Sequence, residues 1–283
     1  LKKFDFENID DYGDPNQMFK PDENIFKRLT EGFSMPRMQS KRVEISINRM
    51  LRDPKYVERV LIRSSPYLHH IVQEIDKRKL PMELALLPFV ESAYKSTAYS
   101  RAKASGLWQF IPSTGKKFGL NQNWWVDERR DVVRSTTAAL DYLEYLHEIM
   151  NGDWFLALSA YNWGEASVKR AIRKNKSRNR KTSFLYLKMP RETRYYVPKL
   201  MAIKRIVLNP QKYNVNLPAI KNKPFFKRIP LKSSIDFELV AKLADLEFSV
   251  FKSLNASNLR PVINKKYAHY LNMPLSSVKK YEE

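Results

Sequence analysis

The sequence predicts a mainly α-helical protein that ends in a small α+β unit. From residue 41 to about residue 207, apolar residues recur at the three- and four-residue spacing of helices buried along one side. Beyond residue 230 the pattern shortens to two brief helices followed by a strand-like run. A hydrophobic content of 43% in 283 residues supplies proper cores for about two domains of ordinary size.

Residues 1–40 mix acids and aromatics with Pro15, Pro21 and Pro36 and show no sustained period, so they read as an extended arm laid on the main body. Three scaffold helices follow. Their buried faces are Val43, Ile45, Ile47 and Met50, then Val57, Val60 and Leu61, then Tyr67, Ile71 and Ile75. Pro81 suits the first turn of a further helix, because its missing N–H would have no partner there. Met82, Ala85, Leu86, Phe89 and Val90 give that helix an apolar face, with Pro88 inside it as a candidate kink.

This greasy helix delivers one carboxylate, Glu91. Burial disfavours the charged form of a carboxyl group, and an apolar pocket can raise a glutamate to a pKa of about 6, which leaves it partly protonated near neutrality. That is the condition for a general acid. The alternative for Glu91 is a turn cap or a partner for one of the many arginines.

A small-residue and polar loop runs from Ala93 to Gly106 and contains Ser100, whose hydroxyl can orient a carboxyl, bind a sugar, or simply close a turn. Gly106, Leu107, Trp108, Gln109 and Phe110 follow. A carbohydrate site needs flat apolar faces and a few amides, and Trp108 and Gln109 are of those types, although Trp108 serves a core equally well. Asp127, Glu128 and Asp131, interleaved with Arg129, Arg130 and Arg134, read as ion pairs locking a loop to a helix start. They are also the rival carboxylates that a hydrolytic mechanism would require.

Ala138, Leu140, Leu143, Leu146 and Ile149 mark one long helix, and Trp154 to Tyr161 another, which closes with Asn162, Trp163 and Gly164. Lys169 to Lys181 is the strongest basic run, a solvated helix end or a binding patch. A helix carrying Glu192, Tyr195 and Tyr196 comes next. Residues 216–230 read as a linker. In 231–283, Asp236 and Ser249 are placed to cap two short helices, and Tyr270 to Met273 suits a strand.

The formal net charge of +21 favours a polyanionic partner or surface. Nucleic acid is the usual candidate, but the cations are dispersed and no nucleic-acid module accompanies them, while a bacterial wall is also anionic. With no cysteine, disulfides, thiolate metal sites and cysteine nucleophiles are excluded. His69, His70, His147 and His269 lack zinc-site spacing, and no metal or organic cofactor is expected. No apolar run approaches the ~20 residues that span a bilayer. The start at Leu1 reads as a processed or trimmed product, with any export signal or lipid anchor upstream.

The strings ALLPFVESAY, ASGLWQFIPSTGKKFGL, DERRDVV, STTAALDYL, ALSAYNWGEASVKRAI and ETRYYVPKL, with Ser100 between the first two, resemble the successive motifs of the lytic transglycosylases. More closely, they resemble the membrane-bound lytic transglycosylase D type, a relative of the soluble lytic transglycosylases with a goose-type lysozyme fold. The likeness covers roughly residues 41–215, with a core at about 75–200. The resemblance implies that Glu91 is the catalytic acid and that Ser100, Trp108, Gln109, Phe110, Tyr161, Asn162, Glu192 and Tyr196 line a sugar groove, Tyr196 beside the acid. It also implies cleavage between N-acetylmuramic acid and N-acetylglucosamine to 1,6-anhydro ends, without cofactor or nucleic acid, by a monomer in the periplasm with a possible outer-membrane anchor. Residues 231–283, with the pair Leu254 and Asn255, resemble a LysM module lacking the usual glycine-aspartate turn and a clear first strand. That unit is read either as glycan-binding or as a structural tail.

Overall fold

A computed structural model describes residues 23–282. The main body is helical: α1 (Ile25–Glu31), α2 (Lys41–Met50), α3 (Pro54–Arg63), α4 (Leu68–Lys77), α5 (Leu87–Ser92), α6 (Pro112–Lys117), α7 (Val132–Ile149), α8 (Trp154–Trp163), α9 (Glu165–Lys176) and α10 (Arg191–Leu208). The starts follow local chemistry. Ser40, Asp53, Asp131 and Asp153 each accept a hydrogen bond from a backbone N–H of the first turn that would otherwise lack a partner.

The expected arm is only partly tested, since residues 1–22 lie outside the described residues. Its remainder is not an extended strap. Ile25, Phe26 and Leu29 make α1 amphipathic and bury it in the main core, and Arg28, itself buried, pairs with Asp76 at 2.7 Å. The proline-rich composition upstream masks this short helix.

Pro88 also resolves differently from a kink. A 3-10 turn, Met82–Leu86, precedes α5, and Pro88 falls in the first turn of α5, where its missing N–H costs nothing. The segment is two short helices instead of one bent one. Ala93 then takes a left-handed conformation (φ 49°), which ends α5 directly after Glu91 and Ser92.

Gly106 shows why the loop after α5 is rich in small residues. Its φ is +82°, and a Cβ there would lie 1.9 Å from the Arg129 carbonyl oxygen. The Arg129 guanidinium, held by Asp127 at 2.7 and 2.8 Å, donates onward to the carbonyls of Lys103 and Phe110. The charged loop thus clamps the loop that forms one side of the cleft.

At the C-terminal end, β1 (Phe226–Pro230) pairs antiparallel with β4 (Tyr270–Pro274), and β2 (Ile235–Asp236) with β3 (Val262–Ile263). Between them lie α11 (Phe237–Leu243) and α12 (Phe248–Leu254), and α13 (Val278–Glu282) closes the chain's described part. These elements bury a second core around Phe237, Val240, Phe251, Ile263, Leu271 and Met273. β1 occupies the end of the stretch read as a linker. It supplies the first strand that the sequence reading lacked, because its alternation is interrupted by Pro224 and Pro230. Asp236 caps α11 as expected, whereas α12 starts at Phe248, so Ser249 lies inside it and its hydroxyl donates to Glu247 instead. The two cores are joined by backbone bonds from Asp127 N to Ser257 O and from Leu259 N to Trp125 O, and by Trp125 stacked on Tyr267.

Candidate active site

Glu91 stands in the last turn of α5, at the wall of a cleft of about 650 Å³. Its position follows from the burial of Leu87, Pro88 and Phe89, which fixes the other face of this short helix in the core. Burial pushes the Glu91 carboxyl up to about 7, further raised by the charge of Glu192 and opposed by a hydrogen bond from Tyr196 and the charge of Lys199. The carboxyl is therefore divided between its acid and base forms near neutrality.

Two tyrosines frame it. Tyr196, on α10, donates its hydroxyl to Glu91 Oε1. Tyr161, in the last turn of α8, donates to the backbone oxygen of Trp108 at 2.8 Å. Burial, then the nearby Glu91 charge, raises both phenols well above their ordinary value, so each stays a neutral donor.

The structure brings Ser100, Gln109, Phe110, Tyr161, Asn162, Glu192 and Tyr196 to the same cleft as Glu91. Ser100 closes a turn, its oxygen accepting from Ala104 N at 3.0 Å, and it also lines the cleft. The amide nitrogen of Gln109 donates to Gly106 O at 2.9 Å, and its amide oxygen has no partner among the described residues. Asn162 ties α8 to α10, accepting from Thr193 Oγ1 at 2.8 Å, with Glu192 3.5 Å from its amide nitrogen. Tyr195, one residue before Tyr196, turns away and lies under the guanidinium of Arg49.

Trp108 is the exception among the expected groove residues. It is fully buried, its indole N–H donates to Thr136 Oγ1 at 3.0 Å, and it does not line the cleft. Its side chain belongs to the core; only its carbonyl oxygen reaches the site, through Tyr161. An indole carries enough apolar area to satisfy either environment, which is why composition left the choice open.

The rival carboxylates are engaged elsewhere. Asp127 chelates Arg129, Glu128 pairs with Arg134 at 3.1 Å, and Asp131 caps α7. None lines the cleft; the acids that share it with Glu91 are Glu165 and Glu192. Glu165 accepts from Tyr142 at 3.2 Å. Tyr142, Glu165 and Lys199 were not singled out from the sequence. Lys199 had a signal, since Glu192, Tyr196 and Lys199 sit at i, i+4 and i+7 on one face of α10. Among the described residues, no group of three or more histidines or carboxylates is placed to hold a metal ion.

A helical domain with a buried, partly protonated carboxyl in a polar and aromatic cleft has the arrangement that a general acid requires. Comparison with known proteins places it further. The Transglycosylase SLT domain matches residues 71–184, and the family described as lytic transglycosylase MltD, LysM-like domain matches residues 225–283. The membrane-bound lytic murein transglycosylase D of Escherichia coli is 38% identical over 92% of this chain, which spans 58% of that relative's length. A putative tributyltin chloride resistance protein of an Alteromonas species is 38% identical over 68% of this chain and 90% of its own. An inactive mutant of the lytic transglycosylase Slt from Pseudomonas aeruginosa aligns with a TM-score of 0.37 at 24% identity, over 53% of this chain and 25% of that one. The chain belongs to the lytic transglycosylase family, in the membrane-bound lytic transglycosylase D group.

Proposed function

We propose that this chain cleaves peptidoglycan glycan strands between N-acetylmuramic acid and N-acetylglucosamine, leaving 1,6-anhydromuramic ends, with residues 41–215 as the catalytic unit. The observation that carries the reading is Glu91, a carboxyl held near pKa 7 in a cleft of about 650 Å³.

Glu91 first donates its proton to the glycosidic oxygen, a poor leaving group whose departure a placed acid accelerates roughly 10²- to 10⁴-fold. The resulting carboxylate then takes the proton of the muramyl 6-hydroxyl as that oxygen bonds to C1. The acid is regenerated and no water is consumed. Intramolecular attack replaces the second carboxylate of a hydrolase, because a held hydroxyl has a very high effective concentration. Tyr196 steadies the carboxylate between the two transfers, and Gln109, Asn162 and Glu192 supply polar contacts for sugar and peptide groups.

The reading sets the protein in the bacterial periplasm, acting as a monomer on the wall. Among the described residues no helix is long and apolar enough to cross a bilayer. The C-terminal unit, residues 231–283 with β1, would hold the glycan strand near the cleft.

Purified sacculi digested with parent and Glu91→Gln protein test this. Anhydro-muropeptides, lighter by one water than reducing products, are expected from the parent and not from the variant. Reducing ends from the parent would instead support hydrolysis, with Glu192 or Glu165 as the second carboxylate.

A further inference from the structure

A second cavity, of about 210 Å³, is lined in part by Trp163. Trp163 lines both it and the cleft of Glu91, so the two hollows share one aromatic wall. Ser167, Arg170, Ala171 and Lys174 line it from α9, at the spacing that places side chains on one helix face. Lys188 faces them from the loop that enters α10. Asn175 holds that loop in place, donating to the carbonyls of Lys181 at 2.8 Å and Tyr186 at 3.0 Å.

The cavity is cationic in a way the rest of the site is not. Arg170, Lys174 and Lys188 are exposed and make no ion pair with a carboxylate among the described residues. The segment from Ala166 to Arg191 carries no acidic residue at all. Half-buried Trp163 and Ala171 supply an apolar floor beneath these charges. A hollow smaller than the roughly 300 Å³ of a small drug-sized site suits one or two residues of a branch, not a sugar chain.

We propose that this pocket receives the acidic stem peptide carried by the muramyl residue whose bond lies at Glu91. The inference rests on the glycan-cleaving reading and adds a specificity site to it. Stem peptides branch from the glycan and carry free carboxylates, which match a preformed cluster of unpaired cations one side chain away from the cleft. The aliphatic parts of the branch would lie on Trp163 and Ala171. The basic run of α9 and the loop after it is then a specificity surface, not merely a solvated helix end.

The test compares glycan strands bearing stem peptides, the same strands stripped by an amidase, and strands whose stem carboxylates have been amidated. The parent should prefer the first, and treat the third like the second. In the triple variant Arg170→Ala, Lys174→Ala, Lys188→Ala, the ratio of kcat/KM on stem-bearing to stripped strands should fall roughly tenfold, mostly through KM, as expected for three exposed charge contacts. Because all three side chains are exposed, an unchanged melting temperature verifies the fold. An unchanged ratio overturns the proposal. So does an equal loss on every substrate, which would mark general attraction to polyanions. Loss of binding to phosphatidylglycerol vesicles with the ratio unchanged would assign the cluster to a membrane surface and overturn it too. If the parent releases no anhydro ends from any of the three, the glycan-cleaving reading itself fails.

Discussion

Tyr196 donates its hydroxyl to Glu91 Oε1 across 105 residues of sequence, from α10 to the last turn of α5. The bond stabilises the carboxylate and so works against the burial that keeps Glu91 protonated. Tyr196→Phe should therefore move the alkaline limb of the activity profile upward in pH. It should also lower kcat by roughly 10- to 100-fold, the worth of a hydrogen bond to a charged group. A limb displaced downward would mean that the phenol does not act on Glu91.

The same carboxyl sets the pH dependence of the parent. A general acid must be protonated, so kcat/KM should fall as pH rises through about 7. Stability should follow the same direction. With a folded value above the ordinary 4.5, the native state holds more protons than the unfolded chain between those values, and stability declines as pH rises through that window. The full cost is up to about 3 kcal/mol, taken from the size of the shift. Glu91→Gln, which has no charge to bury, should melt higher than the parent at pH 8 and much like it at pH 4.

His69 and His70 give the opposite limb. Burial pushes both imidazoles down to about 4, so they fold as neutral rings. The unfolded chain then binds more protons than the native state between about 4 and 6.5, and stability present above 6.5 is lost as pH falls. Thermal melts from pH 7 to pH 4 should show this. His70→Leu should flatten the decline, since His70 Nε2 is buried without a partner and loses nothing by removal.

Trp108 is expected to behave as a core residue that also positions Tyr161. Thr136→Val strips the indole N–H of its partner and should cost about 1–3 kcal/mol in denaturant unfolding. Trp108→Ala should cost about 3–5 kcal/mol. A Trp108→Ala protein of parental stability that had lost only substrate affinity would return this residue to the groove.

Asn255 and Asn272 hold the C-terminal unit together from the inside. Asn272 N donates to Asn255 Oδ1 at 2.8 Å, and Asn255 Nδ2 donates back to Asn272 O at 2.9 Å. Asn255→Ala should destabilise this unit by about 1–3 kcal/mol, because two buried backbone groups lose their partners. Hydrogen exchange should show the loss in β4 and α12 while α7 and α8 keep their protection. Uniform loss across both cores would indicate that they unfold as one.

The sequence alone determined the helical class and the two cores, because each rests on periodic chemistry. Amphipathic spacing marks buried faces, whereas Glu91 stands out through the resemblance of ALLPFVESAY to a family motif. Tertiary structure alone decided which side of each ambivalent residue meets the cleft. It sent the Trp108 indole inward to Thr136 and only its carbonyl outward, spent Asp127 and Glu128 on arginines and Asp131 on the start of α7, drew α1 into the core, and set Arg170, Lys174 and Lys188 around a cavity that Trp163 also lines. Aromatic, amide and charged side chains are stable in several surroundings, and their role is fixed only by which distant segment comes to lie against them.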